Sequence, residues 1–137
     1  MPRILVALDD SCGSEKALQA AVQLAQRDGG QLTAVTVLER AGDPVAEQLA
    51  EDANSQAVQR LEELLQTAAN FAHSRGLRLR PILREGQPAE TILICAEEER
   101  ANLVVLGAGR IAGDNPRLGN TADEVSKRCP CTVLIAR

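Results

Sequence analysis

Two of the short stretches that are apolar without interruption stand next to turn residues. Ile4-Leu5-Val6-Ala7-Leu8 is closed by Asp9-Asp10-Ser11, and Leu103-Val104-Val105-Leu106 is closed by Gly107. A strand with one wet face alternates apolar and polar residues, so unbroken runs this short mark strands covered on both faces. Such strands belong to parallel sheets, whose helical crossovers lie above and below. The first run is read as the first and central strand of a sheet of this kind.

The segments between these runs supply the helices and the remaining strands. Ser11 and Ser14 offer caps to a helix in which Ala17, Ala20, Ala21, Leu24 and Ala25 recur at helical spacing, and Gly29-Gly30 ends it. Gln31–Leu38 reads as the second strand, paired with the first. After a loop holding Gly42, Asp43 and Pro44, residues Leu49, Ala53, Ala57, Leu61, Leu64, Leu65 and Ala68 mark a long amphipathic helix running to about Arg75, with Gly76 as its stop. Leu77–Glu85 is a half-exposed strand that Pro81 assigns to a sheet edge. Ala89, Ile92, Leu93 and Ala96 define the next helix, Asn102–Leu106 the fourth strand, Ala122, Val125 and Cys129 the last helix, and Cys131–Ala136 the last strand.

The order βαβαβαβαβ implies a doubly wound α/β fold: a five-stranded parallel sheet with helices on both faces. Strand orders 2-1-3-4-5 and 3-2-1-4-5 both satisfy it, and each places a ligand crevice at the carboxyl ends of the strands flanking the switch point. In the 3-2-1-4-5 case those ends are Asp9 and Gly107.

With 137 residues, 45% of them hydrophobic, the chain builds one domain, residues 1–137, and not two. A net charge of −4 and a single aromatic residue, Phe71, argue against nucleic-acid binding, which uses a positive field and stacking platforms. No apolar run approaches the ~20 residues that cross a bilayer, and Met1-Pro2-Arg3 does not lead into a secretory leader. A cytoplasmic protein is expected, with Cys12, Cys95, Cys129 and Cys131 as thiols.

Gly107–Gly119 holds four glycines and Pro116 and has no apolar period, which makes it a long loop with work to do. Glycines between a strand and a helix let main-chain N–H groups approach an anion, and the helix N-terminus adds a favourable field. Gly107, Gly109 and Gly119 hold those positions, with Asn120 or Thr121 as side-chain donors, whereas Asp114 would repel a phosphate. Asp9 can accept from a ribose hydroxyl or an adenine amine, or it can serve as a turn carboxylate before the first helix. The chain has neither a Gly-Lys-Ser/Thr phosphate loop nor a Gly-x-Gly-x-x-Gly turn after its first strand.

Taken in order, Ile4-Leu5-Val6-Ala7-Leu8-Asp9-Asp10-Ser11, Gly86-Gln87-Pro88-Ala89-Glu90-Thr91-Ile92, Asn102-Leu103-Val104-Val105-Leu106-Gly107, Leu118-Gly119-Asn120-Thr121-Ala122-Asp123-Glu124-Val125 and Cys129-Pro130-Cys131-Thr132-Val133-Leu134-Ile135 resemble the universal stress protein family over essentially the whole chain. The resemblance implies the 3-2-1-4-5 order. Part of that family binds ATP through Gly-x2-Gly-x9-Gly-Ser/Thr. Here Gly109-x9-Gly119 keeps the second interval, Gly107-x-Gly109 is one residue short, and Asn120 stands in place of Ser or Thr. By resemblance, Ala7, Val37 and Leu106 would frame an adenine and Asp9 would hold the adenine or ribose. Gly107, Gly109, Gly119, Asn120 and Thr121 would meet the phosphates of ATP, with Mg²⁺. The resemblance also implies a homodimer through the last strand, residues 132–136.

Other features support less. Cys129-Pro130-Cys131 suits either half of a soft-metal site, a redox pair or plain packing, and Cys12 lies near a helix start. His73 ends the long helix without a catalytic partner. Arg78, Arg80 and Arg84 share a strand face that is solvated or docks an acidic partner. Two functions follow: a regulatory protein switched by an adenine nucleotide and read by a protein partner, or a dimeric interaction module without a ligand. Neither is an enzyme beyond slow incidental ATP hydrolysis, since no residue is placed to activate a water.

Overall fold

The computed structural model describes residues 2–9, 12–39, 51–108 and 120–137. The elements follow the alternating order: β1 (Arg3–Leu8), α1 (Cys12–Asp28), β2 (Gln31–Leu38), α2 (Glu51–Ser74), β3 (Leu79–Glu85), α3 (Pro88–Glu98), β4 (Leu103–Gly107), α4 (Asn120–Arg128) and β5 (Thr132–Ala136). The five strands are parallel throughout, in the order β3-β2-β1-β4-β5. Of the two orders open to the sequence, the structure therefore adopts 3-2-1-4-5.

The unbroken apolar run of β1 is explained by its place. As the middle strand it pairs with β2 and β4, and every residue from Ile4 to Leu8 is buried. Ile4, Val6 and Leu8 face a layer formed with Ala17, Ala21 and Ala25 of α1 and Leu65, Ala68 and Ala72 of α2. Leu5 and Ala7 face the opposite layer, with Ile92, Cys95 and Ala96 of α3 and Ala122 and Val125 of α4. The alanine stripe on α1 lets that helix lie close on the sheet, where larger side chains would hold it off.

The strand and helix boundaries shift by a residue or two from the sequence reading, and hydrogen bonds account for several of the shifts. Leu77 lies between α2 and β3, not in the strand: its N–H donates to the Ala72 carbonyl at 2.9 Å and closes the helix, while Gly76 turns the chain at φ +78°. Asp9 follows β1, as the sequence has it, and its N–H donates to Ser14 Oγ. Asn102 precedes β4, exchanging bonds with Arg3: its N–H donates to the Arg3 carbonyl, and its Oδ1 accepts the Arg3 N–H at 2.7 Å. Asn120 is the first residue of α4. Pro81 lies on β3, an edge strand that among the described residues pairs only with β2.

The arginine row on β3 meets its own chain. Arg80 binds both carboxylate oxygens of Glu99, at 2.9 and 3.0 Å, and Arg84 binds Glu98 at 2.7 Å. The acidic partner of these two side chains is thus the end of α3, and Arg78 stands exposed ahead of the strand. These pairs lie at the surface, where each is worth little to stability. His73 is exposed in the last turn of α2.

Candidate functional site

The carboxyl ends of β1 and β4 meet at the switch point of the sheet, and the sequence holds both in place. At the end of β1 the hydroxyl of Thr36, itself buried, donates to the Leu8 carbonyl at 2.8 Å, tying β1 to β2 where their ladder closes. One residue on, Ser14 and Asp9 lock together: the Asp9 N–H donates to Ser14 Oγ at 2.6 Å, and the Ser14 hydroxyl donates to Asp9 Oδ1 at 2.8 Å. Ser14 is buried in the first turn of α1, so the Asp9 carboxylate is oriented from below by a group that cannot move far. Of the two roles open to Asp9, the turn role is met, and the carboxylate still borders the crevice.

Gly107 ends β4 against the first turn of α1. A Cβ placed on it would lie 2.5–2.9 Å from the backbone atoms of Gly13. A glycine is required here by packing, independently of any phosphate.

Above these ends opens a cleft of about 610 Å³, within the range of about 300–1,000 Å³ usual for small-molecule sites. Seven residues singled out from the sequence line it together: Ala7, Asp9, Val37, Leu106, Gly107, Asn120 and Thr121. They come from β1, β2, β4 and α4, and from positions more than a hundred residues apart. Gly109 and Gly119 lie outside the described residues, as do Asp114 and the loop at Gly42, Asp43 and Pro44, so the phosphate role of the glycine loop has no geometry here.

The cleft has two kinds of wall. Ala7, Val35, Leu106 and Ile92 give an apolar floor on the α3–α4 side of the sheet, suited to a flat ring. Asn120 and Thr121 open α4, where unpaired main-chain N–H groups and the helix field favour an anion.

Sequence reading missed Arg60, Glu39 and Pro88, which also line the cleft. Arg60 is the one cation among the described lining residues. It had a signal: Ala57, Arg60, Leu61 and Leu64 fall at i, i+3, i+4 and i+7 on α2 and all reach the cleft. What the helical phase could not tell was where that face of α2 would land.

A doubly wound 3-2-1-4-5 sheet with its crevice at the β1–β4 switch is an α/β architecture built to take ligands at the strand ends. A sequence model of the universal stress protein family matches residues 1–137, and the chain belongs to that family. It is 32% identical to the Bacillus subtilis universal stress protein YxiE, over 98% of each chain. Among solved structures, universal stress protein UspA from Lactobacillus plantarum superposes with a TM-score of 0.89 at 25% identity, covering 99% of this chain and 97% of its own. The universal stress protein from Archaeoglobus fulgidus in complex with dAMP shares the fold, with a TM-score of 0.77 at 21% identity, covering 100% of this chain and 98% of its own.

Proposed function

We propose that this protein binds an adenine nucleotide in the cleft at the β1–β4 switch and acts as a regulatory protein of the stress response, with the ligand setting the affinity of a protein partner. The observation that carries the reading is the convergence of Ala7, Asp9, Val37, Leu106, Gly107, Asn120 and Thr121 on one cleft. The apolar floor suits the adenine, the Asp9 carboxylate fixed by Ser14 suits an amine or ribose hydroxyl, and the start of α4 suits phosphate. Arg60 adds a positive charge on the opposite lip. The solved dAMP complex of a family member supports an adenine ring as the common element. ATP with Mg²⁺ is the ligand we favour.

Calorimetric titration with ATP, with and without Mg²⁺, tests the reading. Saturable binding that is lost in Asn120→Asp supports it. Asp at a helix start is favourable to the fold, so this substitution places a negative charge beside the phosphates without weakening α4. Absence of heat at millimolar ATP would overturn it.

The second reading, an interaction module, draws on β5. Among the described residues this strand pairs only with β4, which leaves it an edge of the sheet, and Leu134 is 37% exposed upon it. We infer a homodimer through residues 132–136. Sedimentation of Leu134→Lys beside the unaltered chain tests it: a dimer reduced to monomer is expected, and a monomer in both would sink it.

A further inference from the structure

Cys129 and Cys131 lie where α4 has ended and β5 has not begun, and their sulfurs are 3.3 Å apart. Both are free thiols, half-buried against the core under α3 and α4. The backbone on either side is tied down: the Cys129 N–H donates to the Val125 carbonyl at 2.9 Å, Pro130 has a fixed φ, and Thr132 is already in register with Leu103. The two thiols are thus presented side by side by the fold and do not need to be gathered by a ligand.

Paired thiols serve cations, disulfide exchange or condensation with a trivalent centre. A cation site would need more ligands: structural zinc takes four, and no cluster of three or more His, Cys, Asp or Glu exists among the described residues. Metal binding and disulfide exchange both act through thiolates. Burial, and then the hydrogen bond with Cys129, push the Cys131 thiol up to about 11, so it stays protonated at neutral pH.

Condensation with trivalent arsenic has the opposite requirement. An organoarsenic oxide takes two thiols, breaks its arsenic–oxygen bond, forms two As–S bonds and releases the oxygen with both protons as one water, and arsenous acid likewise exchanges two of its three hydroxyls for two As–S bonds with release of two waters; neither sulfur nor arsenic changes oxidation state and no charge is transferred. The geometry agrees. A central atom about 2.3 Å from each sulfur, a typical metal–thiolate length, would see sulfurs 3.3 Å apart at an angle of about 90°. That is too acute for a linear or tetrahedral ion and suits a pyramidal three-coordinate centre carrying a lone pair.

We propose that Cys129 and Cys131 form a chelating site for trivalent arsenicals, the third position on arsenic being filled by an organic substituent or a retained hydroxyl. The site lies outside the cleft and does not depend on the nucleotide reading. Phenylarsine oxide is the probe, followed by native mass spectrometry of the whole protein. One adduct per chain, with loss of water, is expected for the unaltered protein and for the Cys12→Ala/Cys95→Ala variant, which keeps only the pair. It should be lost in Cys129→Ser and in Cys131→Ser, with circular dichroism confirming that both remain folded. Binding should also be level between about pH 6 and pH 8, because no proton is released, whereas a thiolate-bound cation would gain strongly over that range. No adduct on the unaltered protein, an adduct that survives either single substitution, or its loss in Cys12→Ala/Cys95→Ala would overturn the proposal.

Discussion

Gly107 meets Gly13 with no room for a side chain on Gly107: a Cβ there would come within 2.5 Å of the Gly13 carbonyl carbon. The contact joins the end of β4, one of the two strands that flank the switch point, to the first turn of α1. Because the obstructing atoms are backbone, they cannot rotate away as a flexible side chain would. Gly107→Ala should destabilise the protein by about 1–3 kcal/mol through overpacking, read as a lower urea midpoint in the absence of any nucleotide. An unchanged midpoint would mean that α1 can shift and that the glycine serves the ligand alone.

Ser14→Ala removes the two hydrogen bonds that link residue 14 to Asp9. With Ser14 buried, a loss of about 1–3 kcal/mol is expected. If the nucleotide reading holds, affinity should fall as well, because the carboxylate loses the buried hydroxyl that orients it. Denaturation and titration on the same preparation separate the two effects.

Arg60→Ala tests the lip of the cleft. This side chain is exposed, so its contribution to an anion is screened, and affinity for ATP should drop only about two- to five-fold. Adenosine, which lacks phosphate, should bind both forms alike. Equal losses for ATP and adenosine would place Arg60 against the ring or the ribose.

The Cys131 thiol supplies a pH dependence. Its folded value of about 11 lies above the ordinary 9.0, so the fold favours the neutral form. The resulting stability is complete below about pH 9 and is lost as the pH rises toward 11. Cys131→Ser should therefore lose less stability than the unaltered protein across that alkaline window, measured by urea denaturation at stepped pH. Parallel curves would show that the thiol is as well solvated folded as unfolded.

Much of the fold was legible because it rests on short-range patterns. The apolar runs at Ile4–Leu8 and Leu103–Leu106 identify strands covered on both faces, Gly76 marks a helix end, and Pro81 marks an edge. The shifts came where a backbone group chose a partner that periodicity does not show. Leu77 is apolar and in phase for a strand, yet its N–H closes α2. Arg80 and Arg84 look like a solvated row until Glu99 and Glu98 arrive from α3.

For the site, local chemistry and resemblance together named Asp9, Val37, Gly107, Asn120 and Thr121, since strand ends and helix starts are recognisable from their residues. Arg60 escaped because it sits in the middle of a long amphipathic helix, where one more arginine is unremarked.

By itself the sequence determined which segments are strands and helices, because burial on one or two faces is written in the spacing of apolar residues. Tertiary structure alone decided which residues confront each other: that Gly107 must clear Gly13, that Ser14 steers Asp9, and that Arg60 faces the same cleft as Asn120. The reason is one of range. Spacing along a chain reports the environment of each residue, whereas contacts between distant segments depend on how helices settle on the sheet, which side-chain volume and backbone approach determine only once the layers are packed.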